Sequence, residues 1–502
     1  MKSAVDTIAF DLHVRGAVPR ALQGSLLVAA NRRHKNRALF SRWHDSQADL
    51  IRIDLRPGGR GKVKARILPI DGTGRDVGTV SAHGYVTQPN HGLNVRDGTL
   101  WATNLLFGVP LEVDIERWRA RRALRYLEPS EDCPQLSTTS HFAWSLDGRY
   151  AYFHQSLLER ESAGREVRAS ALKLVELDSR TGRERVWSLL PPPNDAALET
   201  ANFHSAFYFE ENGRRFVGLL RTGARLETLD AHAKPDEHRV RAMPRSTIWI
   251  IGLRDDVAEL QAEVLPGLEA IAGFALSHLD VDAGGGNGFT LFANYKQADV
   301  AEETHGINLY GEPPEAVQEH YSGMTVEALN VGHVIRYERR DGRSTLKSFS
   351  RPYDPANASL GHSWLPINIE LDPRGEFLFC SFSGFRPRLL PRHVARAYPD
   401  AHVDPRAIRY VPPLLMRLRA DTLEADHRPD RRHLSYAEPI AMTVVGGEHG
   451  SYVCTFSPEV GLRIYPAEDL SRMVCHAVAP ELMNWRDTHF RPDPAHMKFV
   501  AR

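Results

Sequence analysis

The sequence predicts an all-β fold of seven hairpin units set around a common axis, a seven-bladed β-propeller with a dome of loops and helix over one face. Two observations predict the strands. Short runs of alternating hydrophobics dominate and long helical patterns are few; turn centres recur near 58, 97, 147, 212, 285, 374 and 447. A third predicts the axis. His141, His204 and His278 each open an apolar stretch that runs into a turn and returns, so one type of side chain begins one type of hairpin three times. A sandwich offers dispersed histidines no common point; a radial fold does.

The units can be taken in order. ADLIRIDL and GKVKARIL flank Pro57, Gly58 and Gly59, and GLNV and TLWATNL flank Arg96, Asp97 and Gly98. The next three turns are Asp147-Gly148, Asn212-Gly213 and the cluster Gly284, Gly285, Gly286 and Gly288. Asp-Gly and Asn-Gly pairs between alternating hydrophobics mark hairpins because both turn residues take positive φ. INIELD and EFLFCSF flank Pro373, Arg374 and Gly375; AMTVV and SYVCTF flank Gly446 and Gly447. Seven units in 502 residues take about 70 residues each, more than a minimal blade requires. The surplus is assigned to dome segments at 113–135, 298–330 and 385–412. The first carries a helical pattern in Trp118, Leu124 and Leu127, with Arg117, Arg119, Arg121 and Arg122 as a solvated helix face. No Pro/Ser/Gly-rich linker divides the chain, so 1–502 reads as one domain.

Composition excludes several classes of function. Hydrophobic residues are 42% and charged residues 25%, an ordinary globular balance with ample core. The 63 basic and 63 acidic residues cancel, which removes any electrostatic case for nucleic acid. Cys133, Cys380, Cys454 and Cys475 have no CxxC spacing, too sparse for a disulfide scaffold or thiolate zinc, and favour a reducing, cytoplasmic setting. The N-terminus lacks the apolar core of a signal peptide, and no stretch approaches the roughly 18 apolar residues of a membrane span. Peripheral membrane contact and oligomeric state stay open.

The candidate ligands are His141, His204, His278 and, near the end, His489 in WRDTHFRPDP. Four neutral imidazoles without a thiolate leave a divalent ion its full charge and, if octahedral, two free positions. That suits iron which must take dioxygen or substrate, whereas structural zinc prefers a closed tetrahedron with cysteine. Most of the 23 histidines must be ordinary, and His91 in PNHGLNVRDG and His362 in SLGHSWLPINIELD precede turns in the same way. Pattern alone does not separate these two from the four.

Several stretches in consistent order resemble the carotenoid cleavage oxygenase family, which includes carotenoid and stilbene dioxygenases and the visual-cycle retinoid isomerase. DLHVRGAVPRALQGSLLVAANR is similar to the family opening, and QPNHGLNVRDGTLWATNLLFGVPLEVDIE to its second strand pair. TTSHFAWSLDGRYAYF resembles the stretch carrying the first iron ligand, and YAEPIAMTVVGGEHGSYVCTFSPEVGLRIYPAEDL the closing motifs. The resemblance spans essentially the whole chain. It implies a seven-bladed propeller with Fe(II) on its axis, held by His141, His204, His278 and a fourth ligand. His91 falls on a non-ligand position, His449 in an acidic turn and His362 outside any ligand motif.

The chain also departs from the family pattern. The last ligand motif is matched by RDTHFRP, where alignment on Phe490 and Pro492 puts Asp487 at the ligand position; His489 keeps an all-imidazole set, with Asp487 as its rival. Of the family's three glutamates that orient ligand histidines, only Glu448 has a counterpart nearby. The implied reaction is cleavage by dioxygen of a C=C bond in an apolar conjugated substrate, a carotenoid, apocarotenoid or related natural product, to two carbonyls. No catalytic side chain beyond the metal ligands is required. Phe142, Trp144, Phe203, Phe207 and Phe274 are candidate tunnel walls, with blade core as the plainer alternative. Rival functions are a non-cleaving isomerase or tailoring oxygenase on this scaffold, or a metal-poor propeller serving as a binding module.

Overall fold

The computed structural model describes residues 8–34, 47–56, 61–70, 91–103, 108–128, 130, 133, 135–160, 167–193, 203–221, 247–266, 274–284, 287–297, 332–349, 365–383, 414–425, 441–447, 450–457, 461–478 and 490–502. Among these every regular element is a strand, and no helix is long and apolar enough to cross a membrane.

The strands fall into seven blades. The first holds β2 (Gly24–His34), β3 (Gln47–Leu55) and β4 (Gly61–Ile70), with the C-terminal strand β29 (Phe490–Ala501) paired antiparallel to β2. The second is β5 (Leu93–Arg96), β6 (Thr99–Ala102), β7 (Leu111–Asp114) and β8 (Arg119–Ala123). The third contains β9 (Gln135–Thr138), β10 (Ala143–Trp144), β11 (Tyr150–Arg160), β12 (Val167–Asp178) and β13 (Glu184–Leu190). The fourth is β14 (Phe203–Glu211), β15 (Arg214–Arg221), β16 (Thr247–Gly252) and β17 (Glu259–Val264). The fifth is β18 (Phe274–Asp282), β19 (Gly288–Gln297), β20 (Gly332–Arg340) and β21 (Arg343–Phe349). The sixth is β22 (Leu365–Leu371), β23 (Phe377–Ser383) and β24 (Leu414–Arg419). The seventh is β25 (Ala441–Gly447), β26 (Gly450–Ser457), β27 (Gly461–Pro466) and β28 (Cys475–Val478). Strand β1 (Ile8–Gly16) pairs with both β28 and β4, tying the last blade to the first.

Alternation along each strand builds the core. In β14, Ala206 and Tyr208 pack toward the third blade while Phe207 and Phe209 pack toward the fifth. In β23, Leu378 and Cys380 face the fifth blade and Phe379 the seventh. Period-two geometry thus feeds two apolar layers from one strand, so inner strands such as FHSAFYF read as nearly continuous hydrophobic runs. Seven such clusters fill the seven gaps between neighbouring blades.

The described residues of 113–135 form no helix: 113–114 end β7, 119–123 are β8 and 135 opens β9. Trp118 stands at φ 51° in the tight turn between β7 and β8, buried against the first blade, and Leu124 packs in the gap toward the third. The arginines pair across the hairpin, Arg121 with Asp114 at 2.6 Å and Arg122 with Glu112 at 2.9 Å, rather than lining a helix face. Segments 298–330 and 385–412 lie outside the described residues.

Candidate metal centre

Strands β10, β14, β18, β22, β25, β29 and β5, one from each blade, touch one another in that succession about the axis. Five of these strands or their lead-ins deliver a histidine. His91 stands two residues before β5, and His141 two before β10. His204 falls at a break in the register of β14, where Phe203 pairs with Arg221 and Ser205 with Leu220. His278 falls at a break in β18, between Leu276 and Leu279. His496 adjoins a third break in β29, where His496 pairs with Ala29 and Pro494 with Ala30. A bulge inserts a residue and re-aims its side chain, turning an imidazole that would lie between blades toward the axis.

The five rings converge. One candidate ligand atom from each of His91, His141, His204 and His278 lies within 4.8 Å of the others. His91 Nε2 lies 3.0 Å from His204 Nε2 and 3.1 Å from His496 Nε2, and His496 Nε2 lies 3.2 Å from His278 Nε2. His141 Nε2 is buried and makes no hydrogen bond.

The cluster fits a cation better than it fits itself. Each Nε2 offers one in-plane position, a lone pair or an N–H. In a run of four such atoms joined by three contacts at most two of the contacts can be hydrogen bonds at once, whatever the protonation, and His141 Nε2 stands outside the run. A cation accepting every lone pair satisfies all five. Burial pushes the His141 imidazole down to about 3, which keeps it neutral and able to donate that pair. His496 is driven down by burial and then by the other four imidazoles. His154 lies outside the cluster, fully buried with Thr139 Oγ1 2.7 Å from its Nδ1 and Phe203 against its ring.

Polar groups of the described residues hold two of these rings. His204 Nδ1 lies 3.0 Å from Ser205 Oγ, and the His278 backbone N–H donates to Asn294 Oδ1 at 2.6 Å. A hydroxyl can accept from Nδ1–H, which leaves the Nε2 lone pair available to a cation, without added charge. Charge appears one layer along the axis. Lys498, two residues beyond His496, reaches Glu370 at 3.2 Å, and Thr443 donates to the same oxygen at 3.2 Å. The Asp280 carboxylate, two beyond His278, accepts from Leu371 N–H at 2.6 Å. Burial raises both carboxyls, and Glu370 holds Lys498 above its ordinary value.

His141, His204 and His278 are therefore brought together; His489, its rival Asp487 and Glu448 lie outside the described residues. His91, assigned by resemblance to a non-ligand position, stands inside the cluster, as does His496, which sequence reasoning missed. Its signal was the alternation in AHMKFVA, which sets His496 and Lys498 on one face of a final strand. Of the candidate tunnel residues, Phe142 stacks on Phe153 at 4.4 Å, Phe203 packs on Trp249 at 4.8 Å and Phe207 on Phe289 at 4.9 Å. Trp144 rests against Trp101 at 5.7 Å with Arg96 over its ring. These contacts are those of packing within and between blades. Phe274 opens β18, and its side chain lies outside the described residues.

With blades and axial histidines in view, the chain can be set beside known proteins. No protein-family model and no curated protein sequence matches it. Among solved structures, a glutamate-to-glutamine variant of the Synechocystis apocarotenoid oxygenase superposes with a TM-score of 0.58 at 11% identity, covering 100% of this chain and 97% of that one. The chain has a carotenoid cleavage oxygenase-like fold. The cobalt-substituted Synechocystis enzyme superposes equally well, with TM-score 0.58, 12% identity and the same coverage. At this identity the shared oxygenase fold is the finding.

Proposed function

We propose that this chain is a non-haem iron(II) dioxygenase that cleaves a C=C bond of an apolar conjugated substrate to two carbonyl products. The observation that carries the reading is an axial cluster of imidazoles, His141 and His496 held neutral by burial, with the buried Nε2 of His141 unbonded at a cation-sized centre. His141, His204, His278 and His496 would hold the ion, which would supply the one-electron chemistry that lets dioxygen react with an alkene.

The residues of the chain do the rest. Burial keeps the His141 and His496 imidazoles unprotonated, so the ion need not displace protons from these two near neutral pH. Ser205 Oγ, 3.0 Å from His204 Nδ1, would accept its N–H and leave the Nε2 lone pair to the ion. Asn294 fixes the backbone at the β18 bulge and with it the aim of His278. With only neutral ligands the site keeps the full positive charge of the ion, and the Lys498–Glu370 pair lies a layer away.

The test is metal content after anaerobic purification with added Fe(II), followed by incubation with apocarotenoids and other conjugated alkenes under isotopically labelled dioxygen. The expected result is about one iron per chain, lost in His204→Ala, and label in both carbonyl products. Iron without oxygenated product from any alkene would refute the cleavage reaction; absence of bound metal would refute the metal centre itself. The reading also places the protein in the cytoplasm, acting on a small substrate.

A further inference from the structure

The five imidazoles are not spaced as four ligands with a bystander. The ring centroids of His91, His141 and His278 form a triangle with sides 5.5, 5.6 and 5.6 Å. His204 lies 5.0, 5.1 and 4.4 Å from these three corners, and His496 lies 4.3, 4.5 and 5.0 Å from them. Two rings with such similar distances to one triangle would nearly coincide if they shared a side of it. They therefore stand on opposite sides, and the five centroids describe a trigonal bipyramid with His204 and His496 at its apices.

The ring centroids fit in scale as well as in shape, while His141 Nε2 stands outside the run of close nitrogen contacts. The centre of a triangle of this size is about 3.2 Å from each corner. An imidazole bound through Nε2 at about 2.1 Å puts its ring centroid about 1.1 Å further out, at about the same 3.2 Å. Nitrogens about 2.1 Å from a common centre are about 3.0 Å apart between apex and equator and about 3.6 Å apart around the equator. The three close Nε2 contacts, at 3.0, 3.1 and 3.2 Å, are all apex-to-equator pairs.

His91 is held in this position by its surroundings. Its backbone N–H donates to Thr103 O at 3.0 Å, and Thr103 N–H donates to Gly92 O at 2.9 Å. The Thr103 hydroxyl and the Asn94 amide both donate to Ser140 O, at 2.7 and 3.1 Å, locking the lead-in of β5 to that of β10. His91 and His141 are thus fixed relative to one another by backbone contacts that do not involve a metal.

We infer that His91 is a fifth metal ligand, making the centre a five-imidazole, trigonal-bipyramidal site with His91, His141 and His278 in its equator. The inference rests on the metal-binding reading above, but not on the cleavage reaction. Such a centre leaves one octahedral position open rather than two, and a small anion gains a second position at the ion when His91 is removed.

The test loads the full-length chain with Co(II), whose visible absorption reports coordination number, and compares it with His91→Ala and with the bulkier His91→Gln. Far-UV circular dichroism checks that each is folded. The parent is expected to show a five-coordinate spectrum and weak azide binding. Both variants should lose Co(II) affinity by more than the about 10–100-fold that loss of an outer partner costs, show a changed spectrum, and bind azide more tightly. Added imidazole should restore the parent spectrum in His91→Ala. An unchanged spectrum in either folded variant would overturn His91 as a ligand while leaving the four-histidine centre standing. A parent that binds no Co(II) would overturn both.

Discussion

At the scale of single residues, burial sets the chemistry of His141. Its imidazole is held down to about 3, from an ordinary value near 6.5. In the metal-free protein the unfolded chain therefore takes up a proton near pH 6.5 that the folded chain refuses until about pH 3. The contribution of His141 to stability is complete above about 6.5 and is lost as pH falls toward 3, by about 1.4 kcal/mol per pH unit. Metal-free parent should melt progressively lower across that window, and His141→Phe should flatten the slope. An identical pH dependence in the two proteins would show that His141 takes its proton while folded. The residue scale is also where the sequence was least legible. Nothing in PNHGLNVRDG distinguishes His91 from a surface histidine, because its role depends on Ser140, His204 and His496, brought to it by three other blades.

At the scale of elements, the strands were legible and the positions of the bulges were not. Asp97-Gly98 and Asn212-Gly213 turn with both residues at positive φ (46° and 75°, 53° and 70°), as the pairs in the sequence announce. At Asp147-Gly148 only the glycine is left-handed, at 65°, and Gly148 N–H closes the turn onto Ser145 O at 2.7 Å. The apparent helix at 113–135 failed because Trp118 and Leu124, which look like one helical face, bury in gaps on opposite sides of the second blade. Bulges leave no such mark, since an inserted residue is visible only against the partner strand. The lead-ins matter as much. A side chain at Gly92 would overlap Ser140 O and Thr103 Oγ1, so the β5 lead-in approaches that of β10 only because this residue is glycine. Gly92→Ala should cost about 1–3 kcal/mol by overpacking and lower metal content, although it removes no imidazole. Denaturant unfolding together with metal analysis checks this; unchanged metal content would mean the two lead-ins move independently.

At the scale of the whole molecule, the ring is closed twice at one seam. Strand β29 completes the first blade by pairing with β2, while β1 joins the first blade to the last through β4 and β28. The repeated hairpins made the number of blades readable from the sequence, but closure joins residues at opposite ends of the chain and leaves no local signal. Removing 490–502 takes away both the strand that pairs with β2 and His496. The truncated chain should lose cooperative thermal unfolding and bind no metal, whereas His496→Ala should keep the transition and weaken metal binding. Equal behaviour of the two would mean that β29 contributes an imidazole and nothing to closure.

The double closure also imposes an order of events on synthesis. Strands β2 to β4 leave the ribosome early yet must wait for the final dozen residues before their blade is whole, and pairings this distant along the chain form slowly. His91, His141, His204 and His278 are all translated before the strand that carries His496. The metal pocket is therefore finished only once β29 has been made and paired with β2, and loading with metal becomes a certificate that the ring has closed.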